Sequence, residues 1–222
     1  MAYIGKVPTA APLTASDITD GIISNAKLAQ DIISADTALG ATPADTDEFL
    51  VSDAGTLKRM DYSYIKGGIT EADQWRLTTT FTGGADPIAS NLERVDTTGF
   101  DKLGTGMSES SGIFTFPSTG IWIVRYSLET YYTGENRYGS AKILVTTNNS
   151  SYAVIAKNDQ GIAVSSGTNV YANSITETLI DCTDTSNVKV KFSVANEDGS
   201  TSNMGDTDTT YTGMMFIRLG DT

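Results

Sequence analysis

Histidine is absent from all 222 residues, and cysteine occurs once, at Cys182. Without imidazole the chain lacks the usual general base, the Ser-His-Asp and Cys-His nucleophile systems, and imidazole-ligated zinc. A single thiol permits neither an intrachain disulfide nor a thiolate metal cluster, and Cys182 reads as a small residue at a strand end. Positive charge is scarce too: 15 Lys and Arg against 27 Asp and Glu leave a net charge of −12. Such a surface repels phosphate backbones and anionic lipid, so nucleic acid is not an expected partner. No segment has the roughly 18 consecutive apolar residues of a membrane span, and the opening "MAYIGKVPTAAPLTASDITD" holds no signal-peptide core. The expectation is a soluble chain with no export signal and no membrane insertion. Carboxylate-pair hydrolases and oxygen-ligated metal enzymes survive these exclusions. Glu109, Glu129, Glu135 and Glu177, however, sit at polar turn or outward-facing positions where a solvated acid is the ordinary reading, so no enzymatic activity is expected.

What is present divides into two regions. Residues 1–70 contain a ten-residue repeat, "GIISNAKLAQ" followed by "DIISADTALG", in which Ile22, Ile23 and Ser24 align with Ile32, Ile33 and Ser34. One unit has too few apolar side chains to bury them alone, so burial must come from neighbouring units or other chains. A helical stripe through Ile18, Ile22, Ala29 and Ile32 is also readable, with Asn25 and Asp36 interrupting its seam. "DEFLVSDAGTLKRMDYSYIKGG" then predicts a small hairpin turning at Asp53 to Gly55, a helical turn over Tyr62 to Lys66, and a Gly-Gly hinge.

Residues 71–222 alternate. In "IWIVRYSLET" Trp122, Val124, Tyr126 and Leu128 share one face, and in "NVKVKFSV" so do Val188, Val190, Phe192 and Val194. Further strands are predicted at "WRLTTTF", "GIFTF", "SAKILVTT", "YAVIAK", "SITETLID" and "TGMMFIRL", with turns at "TNNSS", "NDQG", "SSGTN" and "NEDGS". Many short strands without an amphipathic helix indicate a mainly β chain, an antiparallel jelly-roll sandwich behind an extended N-terminal segment.

Phe114, Gly120, Trp122 and Val124 follow the spacing F, x5, G, x, aromatic, x, apolar, and "YTGMMFIRL" ends in an apolar closing strand. This resembles the signature of the complement-one-q-like and tumour-necrosis-factor-like jelly roll, with Trp122 and Val124 standing where that family usually has Tyr and Phe. "LTASDITDGIISNAKLAQDII" and "ADTDEFLVSDAGTLKRMDYSYIKG" look like leading segments of bacteriophage fibre proteins, especially those of marine podophages. The two resemblances together imply a homotrimeric virion appendage, made in the host cytoplasm. Its N-terminal segment would join other virion proteins, and its jelly-roll head would meet a host-surface glycan or protein. The reading favoured is a tail fibre; a capsid-mounted head fibre or decoration protein, and a carbohydrate-binding module without a virion role, are the alternatives.

Three groups of residues invite a role. The acidic run Asn196 to Thr210 carries Glu197, Asp198, Asp206 and Asp208 in one loop, and its carboxylates could supply some of the six to eight oxygens calcium needs. The same residue types fill any exposed turn, so no cofactor is expected beyond that ion. Tyr131, Tyr132, Arg137 and Tyr138 cluster in sequence; they suit either surface recognition or burial at a subunit interface. Ile121 and Ile123 lie opposite Trp122 on their strand, facing either a sister subunit or another part of the same chain. With Ile22, Ile23, Ile32 and Ile33 they make up the expected subunit interface.

Overall fold

The computed structural model describes Thr14, residues 39–65 and residues 67–222. The isoleucine repeat, with Ile22, Ile23, Ile32 and Ile33, lies outside the described residues. The chain divides into two compact units, Met1–Lys66 and Gly67–Thr222.

In the first unit, β1 (Glu48–Asp53) and β2 (Thr56–Asp61) pair antiparallel with Asp53 opposite Thr56. That register leaves a two-residue turn, Ala54 and Gly55, with φ of 50° and 87°. Both angles are positive, which suits the right-handed strand twist and explains the glycine. Glu48 pairs with Arg59 and Asp53 with Lys58 along the hairpin, and Phe49 packs on Tyr62. The expected helical turn is a short 3-10 turn, Tyr62–Tyr64.

The second unit is a sandwich of two antiparallel sheets. One has the order β10-β9-β12-β7-β6: β6 (Ser108–Ser110), β7 (Ile113–Thr115), β9 (Asn136–Thr146), β10 (Ala153–Ile162) and β12 (Lys189–Asn196). The other holds β3 (Ala72–Leu77), β4 (Phe81–Thr82), β5 (Leu92–Arg94), β8 (Gly120–Tyr132), β11 (Val170–Cys182), β13 (Ser202–Asn203) and β14 (Gly213–Gly220). Here β8 pairs with β11 along one flank and with β14 and β13 along the other; β14 pairs on with β3, and β3 with β5.

The alternating residues fill the space between the sheets. Trp122, Val124, Tyr126 and Leu128 face Val190, Phe192 and Val194, all essentially inaccessible to solvent. Phe114 is their hub, with ring centroids 5.4 Å from Trp75, 5.4 Å from Phe192 and 5.2 Å from Phe216. Trp75 and Phe216 belong to the opposite sheet, so the two layers interdigitate through aromatic edges and faces. Gly120, at φ 138°, is required by close approach: a Cβ there would lie 2.4 Å from the Gly220 carbonyl oxygen. The Phe-Gly-Trp-Val spacing is thus a packing pattern, with hub aromatic, backbone crossing and two core side chains in sequence.

Three local expectations need correction. "NDQG" is not a turn but the end of β10, which pairs through Asn158, Asp159 and Gln160 with β9. An edge strand exposes much of both faces and so carries polar residues, and register shifts near both its ends break the alternation. "WRLTTTF" is two strands, β3 and β4, with a break after Leu77. The acidic run is not one loop, because β13 divides it. Cys182 is the last residue of β11 and fully buried.

Candidate functional site

The inward alternation of β8, β11, β14 and β3 leaves their other residues on the outer face of the larger sheet. The strand register aligns these residues into rows. Leu103 bridges Ala72, Ala72 stands opposite Ile217, Ile217 opposite Ile123, and Ile123 opposite Leu179. At ~4.8 Å per step, five apolar residues cross about 19 Å of the face. Leu179 is 61% exposed and Leu103 48%, while the three between them are half-buried. The neighbouring row is mixed: Glu177, Arg125, Met215 and Gln74. Ile121 lies beyond the belt on one side, and Ile175 stands four residues from Leu179 along β11 on the other. Farther along, the Tyr131 and Tyr171 rings pack at 5.5 Å between centroids, tilted by 41°. An exposed apolar belt bordered by charge is a candidate association surface.

Sequence reasoning places Ile121 and Ile123 on the face opposite Trp122, where they lie, but does not name Ala72, Leu103, Leu179, Met215 or Ile217. A signal existed for three of them. "MMFI" is apolar on both faces of its strand, and Leu179 follows Ile175 at strand period on the side opposite Ile180. Leu103 comes from a loop, where no periodicity could show it.

One border of this face is built from charges. Arg76 projects from β3 yet is 1% exposed, because it donates to Glu93 Oε1 at 2.7 Å, Thr97 Oγ1 at 2.7 Å and Asp96 Oδ1 at 2.8 Å. On the inner side of β3, Asp73 accepts from Trp75 Nε1 at 2.9 Å, Arg94 Nε at 3.0 Å and the Met107 amide at 2.7 Å. These two clusters fasten the segment after β5, and the approach to β6, to the sheet.

The tyrosine cluster separates in space. Tyr131 is on the outer face with Tyr171, whereas Tyr132 turns the other way and donates to Asp198 Oδ2 at 3.0 Å. Tyr138 projects from β9 in the other sheet and is 47% exposed. Arg137 grips Glu197 through both side chain and backbone amide, beside an open polar pocket of about 440 Å3 lined by Glu135, Arg137, Glu197, Asp198 and Gly199. Hydrogen bonds from Arg137 hold the Glu197 carboxyl below its usual range, and Glu197 raises Arg137 in turn.

The three aspartates named for calcium are not brought together. Asp198 accepts from the Ser200 amide and Tyr132, and Asp206 from the Asp208 and Thr209 amides. Those bonds lower both acids and account for their place in tight turns. Among the described residues no group of three or more acids or cysteines is placed to hold a metal. Of the acids considered for hydrolysis, Glu109 accepts from the Gly112 amide at 2.6 Å and Glu129 from Asn173 at 3.3 Å, roles that fix a turn and a strand pair. No described helix is long and apolar enough to cross a membrane.

No family model and no curated protein matches the chain. Solved structures do. The Eiger TNF of S. frugiperda superposes with a TM-score of 0.51 at 13% identity, covering 68% of this chain and 93% of that one. Murine APRIL at pH 5.0 aligns at 7% identity over 67% of this chain and 98% of its own, with a TM-score of 0.49. The fold is therefore a tumour-necrosis-factor-like jelly roll, as the Phe-Gly-Trp-Val spacing implied.

Proposed function

We propose that the chain is a non-enzymatic binding protein that works as a homotrimer, with the outer face of the larger sheet packed against sister subunits. The observation that carries this reading is the Leu103-Ala72-Ile217-Ile123-Leu179 belt. Its residues sit where a solvated sheet face would carry polar side chains, and a shared fold with tumour-necrosis-factor-like domains is consistent with burial there. Three heads held together present three copies of any contact site, so weak individual contacts add up to useful avidity.

Within that class, the likeness of the N-terminal segment to phage fibre leaders favours a virion appendage, a tail fibre whose heads touch the host surface. The hairpin supports an attachment role, because Leu50 and Leu57 are 75% and 69% exposed on a two-stranded ribbon that is marginal by itself. No cofactor is needed for adhesion of this kind.

Solution mass measurement tests the core of the reading. The expected value is three times the 23.5 kDa chain mass, and Ile123→Lys should shift it to the single-chain value while leaving the circular dichroism spectrum β-rich. A wild-type protein that stays monomeric at tens of micromolar sinks the proposal. Immunogold labelling of virions decides the finer reading, with label expected at the tail.

A further inference from the structure

One pole of the sandwich holds a layer of buried amides whose hydrogen bonding is incomplete in a specific way. Asn136, fully buried at the start of β9, accepts the Asp198 amide on Oδ1 at 3.1 Å, while its Nδ2 has no protein partner. Asn196, at the end of β12, donates from Nδ2 to the Gly83 carbonyl at 3.1 Å and to Asn203 Oδ1 at 3.2 Å, while its Oδ1 has none. Gln160 of β10 donates from Nε2 to Thr130 Oγ1 at 2.6 Å, leaving Oε1 without a partner, and buried Thr201 Oγ1 also lacks one.

Neither asparagine can be satisfied by exchanging oxygen and nitrogen. Turning Asn196 over would aim its oxygen at a carbonyl, and turning Asn136 over would aim its NH2 at the Asp198 amide. The orientations are therefore fixed by their other bonds. Unpaired buried donors and acceptors are costly, of the order of 1–3 kcal/mol each, so a shared partner is expected.

Gly139 shows where that partner belongs. Register sets Gly139 opposite both Asn196 and Gln160. A Cβ on Gly139 would point at Asn196 Oδ1 at 2.9 Å, Asn136 Nδ2 at 3.4 Å and Gln160 Cγ at 3.4 Å. An unpartnered acceptor, Asn196 Oδ1, and an unpartnered donor, Asn136 Nδ2, thus flank the one position in β9 that lacks a side chain.

We propose that this pole is a built site for a single internal water molecule. It donates to Asn196 Oδ1 and accepts from Asn136 Nδ2. The donor count selects the ligand. A cation is refused by the inward-aimed NH2 of Asn136, and an anion by the Asn196 carbonyl oxygen. Water has both a hydrogen for the oxygen and a lone pair for the NH2, and two such bonds lie within the two to four typical of buried waters. Bound there, it ties the start of β9, which Asn136 joins to the turn at Asp198, to the end of β12.

A crystal structure of the full chain at a resolution that defines ordered solvent tests this directly. A water peak within hydrogen-bond distance of both Asn136 Nδ2 and Asn196 Oδ1 is expected; a direct bond between those two atoms, or a metal-like peak, overturns it. Oxygen-17 relaxation dispersion gives a second readout that does not need crystals. Gly139→Ala places a methyl group at the site and should remove one slowly exchanging water relative to wild type. An unchanged count in a folded variant also overturns the proposal. If the variant does not fold, the wild-type solvent peak decides.

Discussion

At the scale of single residues, Asp73 carries the largest concentration of fold-specific bonding. It is 3% exposed and gathers the Trp75 indole, the Arg94 guanidinium and the Met107 amide around one carboxylate, with Arg94 also lying over the Trp75 ring at 4.9 Å. Replacing it by alanine strands a partly buried guanidinium and two buried N–H donors at once. Asp73→Ala should lower the unfolding free energy by roughly 3–5 kcal/mol, the usual effect of breaking a buried ion pair from one side. Urea denaturation measures this; a loss below about 0.5 kcal/mol, typical of a surface change, would show that the cluster is solvated. None of it was visible in the sequence, where Asp73 is one acid in "EADQWRL" and its partners stand up to 34 positions away. Long-range polar partners leave no local periodicity, whereas the apolar partners of Trp122 announce themselves every second residue.

At the scale of elements, legibility follows burial. β8 and β12, with one face fully inside, were readable from alternation because a one-residue slip would expose every core side chain. β10 was cut short in the sequence reading because, as an edge strand, it has little need of alternation, and its polar end is stabilised by Asn158 bonding the Ile175 carbonyl of β11. The hairpin of β1 and β2 lies at the other extreme. Its turn chemistry was plain, but its strands bury almost nothing, and only Val51, Met60 and Asp61 are even half-buried. A two-stranded ribbon of this kind contributes little to folding of the sandwich. A chain beginning at Gly67 should therefore retain the full β signal and a cooperative thermal transition within a few degrees of the full-length protein. Calorimetry of the two side by side checks this, and loss of the cooperative transition in the shorter chain would mean that the N-terminal unit is part of the folding unit.

At the scale of the whole molecule, the absence of histidine becomes a statement about pH. Asp184, Asp198 and Asp206 are held below their usual range, chiefly by backbone amides in tight turns. A depressed acid stabilises the fold above its ordinary value, about 4, and that contribution disappears as pH falls through the lowered value. The opposite limb belongs to groups raised by burial. The Cys182 thiol is pushed up to about 11, and burial raises the Tyr126 phenol as well. Their contribution is complete below the ordinary thiol value, about 8.5, and is lost as pH climbs through the raised ones. Between the two limbs no side chain has an ordinary pKa, since histidine would be the one to titrate there. Stability and subunit association should accordingly form a plateau from about pH 5.5 to 8, with the thermal midpoint and solution mass both level across it. The alkaline fall should start later in Cys182→Ala, where the raised phenols of Tyr126 and Tyr152 remain. A midpoint that steps near pH 6.5 in the wild type would overturn this, because it would require a group titrating where no ordinary side-chain value of this chain lies.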